Sequence, residues 1–163
     1  MRRRQARPAA RPQRPGLGAR LGAGIALAVA AACGSAAYAD DPGQNYILYC
    51  MGCHGEHAEG VPGKVPPLAN TIGRFMRTPE GRNYLLRVPG AANSVLSDAQ
   101  LTAVLNWLAQ TYDRTSLANG DVRLFTTAEV TSQRHSPLAS VLATRNQVIH
   151  DLAATGPAPP SSY

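Results

Sequence analysis

The constraint that most narrows what this chain can become is the run Cys50-Met51-Gly52-Cys53-His54. Two thiols three positions apart, with an imidazole immediately after, fix a local turn and demand a chemical partner. A thioredoxin-like redox pair uses Cys-x-x-Cys but needs a βαβ context, and the flanking sequence supplies none. A structural zinc site needs a second pair of ligands at matching spacing. His57, His135 and His150 are scattered, and Cys33 lies in a segment expected to be removed. What remains is the pattern Cys-x-x-Cys-His for covalent attachment of a c-type haem. The thiols bond the porphyrin's vinyl groups, and His54 turns to the iron as proximal ligand.

Such attachment happens outside the cytoplasm, and the N-terminus agrees. Seven arginines (Arg2, Arg3, Arg4, Arg7, Arg11, Arg14 and Arg20) precede an uncharged apolar run, Leu21 to Gly34. At roughly 14 residues this run suits a signal-peptide core and is short for a membrane span. Ala37-Tyr38-Ala39 is a small-x-small cleavage site, so residues 1–39 read as a signal peptide and the working protein as periplasmic. A rival reading lipidates Cys33 and would place the protein at a membrane surface.

Charge must be judged on residues 40–163. The whole chain is +6, but seven of its sixteen basic residues fall in the export segment. Residues 40–163 keep nine basic and ten acidic residues, a net of −1, and no basic patch predicts a nucleic-acid partner.

The remaining length allows one domain. Periodicity predicts an all-α fold with no strand and no internal repeat. A first helix runs from Pro42 to Cys50. A second spans Arg77 to Arg87, with Thr78 as cap and Pro79 at its first position. The third, Asp98 to Thr111, has the clearest signature. Ser97 and Gln100 form a capping box, and Leu101, Val104, Leu105 and Leu108 make one apolar face. The sequence divides into a haem domain, residues 40–112, and a C-terminal extension, 113–163. In the extension, Thr126 to Glu129 reads as another capping box, Leu138 to Leu152 as a helix, and 155–163 as a disordered tail.

Over about residues 42–112 the chain resembles a class I cytochrome c. An N-terminal helix ends at Cys-x-x-Cys-His, a proline-rich loop follows (Val65-Pro66-Pro67-Leu68), and the final helix contains Asn106-Trp107. The resemblance implies a small helical domain around one covalent haem c with its iron, held by Cys50, Cys53 and His54. It implies that the first and last helices cross at Gly43 with Trp107 or Tyr46. It also implies that the Pro66 carbonyl, twelve residues after His54, accepts the imidazole Nδ1–H.

The sequence departs from the family at the sixth iron ligand. The place of the usual methionine reads Val88-Pro89-Gly90-Ala91-Ala92-Asn93. Met1 belongs to the export segment, and Met51 sits between the anchoring cysteines. Met76 is therefore one candidate ligand; an open iron, or a histidine, asparagine or lysine, are the others.

The function expected is a periplasmic electron carrier, or the haem subunit of a dehydrogenase or oxidase, exchanging single electrons with a redox partner protein. An electron-transfer role is expected ahead of an enzymatic one. The competing readings are a gas- or ligand-binding haem sensor and a haem peroxidase with His57 and Arg74 as its acid–base pair. The arginines from Arg74 to Arg87 are expected to face solvent or the haem propionates.

Overall fold

A computed structural model describes residues 41–118, 120, 122–154 and 156–161. The cleavage site expected after Ala39, and Cys33, lie outside the described residues. Residues 40–163 form one unit.

The described residues form nine helices and no strand: α1 Pro42–Tyr49, α2 Met51–His54, α3 Ile72–Phe75, α4 Pro79–Arg87, α5 Pro89–Ala92, α6 Asp98–Tyr112, α7 Arg114–Ala118, α8 Thr127–Gln133 and α9 Val141–Ala153. The all-α fold is as the periodicity predicts. Caps explain the boundaries. Asp41 accepts a bond from the Gly43 amide at 2.8 Å and starts α1 over Pro42. Thr78 does the same for α4 through Gly81. Ser97 and Gln100 form the reciprocal box that opens α6.

α1 crosses α6 where α1 is thin. A Cβ on Gly43 would stand 3.3 Å from Cζ2 of Trp107, so only a small residue lets the helices approach this closely. Tyr46 completes the crossing, with its ring centroid 5.5 Å from Trp107 and 6.5 Å from Tyr112.

The C-terminal extension is not an appendage. Phe125, Val130, Val148 and Leu152 are buried in the same apolar cluster as Tyr46, Leu101, Val104 and Leu108. Each such side chain contributes about 1.5–3 kcal/mol of transfer free energy. Buried arginines join the two parts. Arg82 of α4 donates to both carboxylate oxygens of Glu129 in α8, at 2.6 and 2.7 Å. Arg134 reaches back to the carbonyls of Ala92, Ser94 and Leu96 and to Asp98. The boundary expected after residue 112 is thus crossed by the core itself.

Three local expectations need correction. Thr126 caps α8 through the Glu129 amide, but the Glu129 side chain is taken by Arg82 and Arg123, so the box is half made. The last helix starts at Val141 rather than Leu138, because Ser140 caps it through the Ala143 amide. Residues 156–161, expected to be disordered, are tied down by arginines. Arg77 donates to the Pro157 carbonyl, Arg74 to Ala158 and Arg145 to Pro160, and Pro159 is buried.

Candidate cofactor site

α1 ends at Cys50, and a single helical turn, α2, follows at once. The His54 amide donates to the Cys50 carbonyl at 3.0 Å, so both thiols and the imidazole sit on one turn. Gly55, at φ +83°, breaks the helix directly after the histidine. Tyr46 donates to the Gly55 carbonyl at 2.5 Å and anchors that break to α1. Burial, then the neighbouring Tyr112, pushes the Tyr46 phenol up to about 12, so it remains a donor throughout the physiological range.

Cys50, Cys53 and His54 line one cavity of about 490 Å³. This falls within the range of roughly 300–1,000 Å³ usual for cofactor pockets. Its walls are mainly apolar: Pro66, Pro67 and Leu68 of the proline loop, Ile72 and Phe75 of α3, Tyr84 and Leu85 of α4, and Leu101, Val104 and Leu105 of α6. Burial raises the Cys50 thiol, and the nearby Cys53 raises it further. Burial lowers the His54 pKa and so favours the neutral ring needed for a metal ligand, an effect partly opposed by the bond to the Pro66 carbonyl. That carbonyl lies 3.1 Å from Nδ1, in the relation the sequence implied.

These features fit a covalently held haem. Two thiols and a neutral imidazole face one apolar space, and the second imidazole nitrogen is left for iron. A zinc reading lacks support, since among the described residues no group of three or more His, Cys, Asp and Glu is placed to hold a metal ion.

Other expected site residues fall elsewhere. Met76 is 1% exposed, packs in the core, and is not among the residues that line the cavity. Val88, Pro89, Gly90, Ala91 and Ser94 do line the cavity, which brings the segment of the usual methionine to the cofactor without a thioether. His57, His135 and His150 are exposed and absent from the lining. Arg74 turns to the Ala158 carbonyl, so His57 and Arg74 do not form a peroxidase pair across this space. None of Arg74, Arg77, Arg82 and Arg87 reaches the cavity; each bonds a protein carbonyl or carboxylate instead.

Sequence reasoning missed Arg145. This residue of α9 is 3% exposed, lines the cavity beside Val141 and Leu142, and lays its guanidinium 5.3 Å from the centre of the Phe75 ring. A charged residue flanked by Val148 and Ile149 within an otherwise apolar helix face was the available signal.

No protein-family model matches the chain. Among curated proteins, a cytochrome c-552 of Thermus thermophilus is 30% identical over 135 residues, covering 71% of this chain and 90% of the relative. A second Thermus thermophilus cytochrome c-552 is 29% identical over 126 residues, covering 65% and 95% respectively. With a helical fold, a cavity of this composition and such relatives, the chain belongs to the c-type cytochromes, electron carriers built around a covalently bound haem c and its iron.

Proposed function

We propose that Cys50 and Cys53 hold the haem by thioether bonds, that His54 ligates its iron through Nε2, and that the protein works in the periplasm, passing single electrons to or from a redox partner protein. The observation that carries this reading is the convergence of both thiols and the Pro66-tethered imidazole on one apolar cavity. The bound haem supplies a one-electron Fe(II)/Fe(III) couple.

The chain's own residues do the rest. Pro66 holds the His54 proton on Nδ1 and so orients the ring. The apolar faces of α3, α4 and α6 exclude water from the cavity. Arg145 offers the buried positive charge that the cofactor's carboxylates require. Cys53 is exposed, so the cofactor edge bonded there is open to a partner without any substrate having to enter. Among the described residues no helix is long and apolar enough to cross a membrane. The arginine-rich, apolar start of the chain supports export.

The test is expression of the full chain with a haem-maturation system, then intact mass and acid–acetone extraction. One haem that resists extraction is expected. Cys50→Ala and Cys53→Ala should each leave a single thioether bond, and the double variant should release haem into acetone. A chain recovered without haem, or with extractable haem, overturns the reading.

A further inference from the structure

Charge, geometry and wall composition say more about the far side of this cavity than about its anchoring side. Val88, Pro89, Gly90, Ala91 and Ser94 form part of the lining, and they offer iron almost nothing to bind; Asn93 between them is exposed and off the lining. Val88, Pro89, Gly90 and Ala91 carry no side-chain donor atom. Ser94 has a hydroxyl, but it accepts a bond from Arg134 at 2.9 Å, and its carbonyl takes a second. On the neighbouring wall Tyr84 is stacked on Phe75, with centroids 5.3 Å apart and planes 29° apart. Thr71 donates its hydroxyl to the Ala69 carbonyl.

The chain's sulfur is also placed elsewhere. Met51 sits between the anchoring cysteines and off the lining. Met76 is buried in the core, and its carbonyl accepts from Arg82, itself clamped by Glu129 and the Arg123 carbonyl. Lys64 is on the lining but exposed, at the solvent end of the proline loop.

We propose that this chain leaves the sixth position of its haem iron to a small uncharged diatomic ligand from solution, admitted past the apolar Val88–Ala91 wall. The inference rests on the haem site proposed above. The ligand class follows from that wall: with the one buried cation of the lining, Arg145, given to the cofactor's carboxylates, stripping water from an anion against Val88, Pro89, Ala91 and Leu85 is costly, whereas an uncharged diatomic loses little. The mouth is formed in part by Leu142, which lines the cavity while remaining 61% exposed.

The experiment uses the full haem-loaded protein, reduced with dithionite and exposed to carbon monoxide. Rapid, complete uptake with a shifted Soret band is expected, as is an oxidised spectrum without the weak charge-transfer band of iron–thioether bonding. Met76→Leu should leave both spectra and carbon monoxide uptake unchanged. Val88→Met should introduce a thioether and abolish uptake. A reduced wild-type protein that takes up no carbon monoxide overturns the proposal. If Lys64→Ala then admits the gas, Lys64 holds the iron, which overturns it equally. Loss of uptake is read only on protein shown by mass to carry haem, so failure of the attachment site is seen separately.

Discussion

His54 Nδ1 lies 3.1 Å from the carbonyl oxygen of Pro66, and the loop that closes this distance is built backwards onto the histidine. The Gly60 amide donates to the His54 carbonyl at 2.7 Å, and Val61 pairs with Val65 in a short antiparallel bridge. Leu68 and Ala69 then both donate to the Ala58 carbonyl. The imidazole is therefore oriented by a loop that is itself clamped at both ends. Burial favours the neutral ring, and the carbonyl decides which nitrogen keeps the proton.

Gly60→Ala tests this clamp. Gly60 has φ +72°, and a Cβ there would collide with the backbone of Val65, Pro66 and Pro67. A loss of about 1–3 kcal/mol is expected from the left-handed conformation alone. The Pro66 carbonyl should also be displaced. A weaker bond to Nδ1 makes the imidazole less basic and less able to support Fe(III), so the reduction potential should rise. Denaturant unfolding and a redox titration check the two effects independently.

Truncation after Tyr112 should fail to give a stable haem-loaded fragment. The cut removes Val130 and Leu152, both fully buried, and strips Val141, Leu142 and Arg145 from the cavity. It also leaves Arg82 without Glu129. Haem-to-protein ratio and far-ultraviolet circular dichroism of the fragment decide it; a folded, fully loaded fragment would mean the extension is dispensable.

The sequence made the anchoring side of the site legible because its signals are local. Cys50, Cys53 and His54 lie on one turn, Ser97 and Gln100 cap within three residues, and the Gly43–Trp107 crossing follows from size alone. The distal side and the role of the extension were not legible, for the opposite reason. Arg145 enters the cavity through a helix more than ninety residues from His54, and no periodicity connects them. Arginines 74 to 87 looked solvent-facing by type, yet each has at least one partner, a carbonyl or a carboxylate, contributed by residues 123–158. Met76 was hard to place because an apolar cluster and a ligand loop look alike in sequence.

The Arg82–Glu129 pair predicts an acid limit to stability. Arg82, followed by Arg123, holds the Glu129 carboxyl below its ordinary value of 4.5. A group whose folded pKa is lowered stabilises the fold above its unfolded pKa, and that contribution is lost as pH falls through the folded value. Glu129→Gln should cost about 1.5–3 kcal/mol near neutrality, since Arg82 keeps its carbonyl acceptors but loses the charged one. The gap between wild type and variant should close as pH drops below 4.5. Urea unfolding across that range measures it.

Arg145→Gln should lower the reduction potential. A buried cation beside the haem favours Fe(II), and its removal favours Fe(III). Arg145→Lys keeps the charge but loses the planar stacking on Phe75, so it should retain more of the potential than of the stability. Comparing redox and thermal titrations of the two variants separates charge from packing.

Arg134 offers the sharpest test of how the extension shapes the distal wall. Its side chain is 3% exposed and donates to the carbonyls of Ala92, Ser94 and Leu96, to the Ser94 hydroxyl and to Asp98. No bonds among helices replace these, because residues 93–97 run between α5 and α6 without regular structure of their own. Arg134→Met keeps much of the volume but leaves Asp98 and three carbonyls short of a donor. A net loss of stability is expected, because removing the guanidinium leaves the carbonyls of Ala92, Ser94 and Leu96 without their donor. The decisive observation is local: amide exchange should accelerate across 92–97 well below the denaturation midpoint, while α1 and the Cys50–His54 turn keep their protection. Uniform acceleration across all helices would mean that Arg134 supports the fold as a whole rather than this wall.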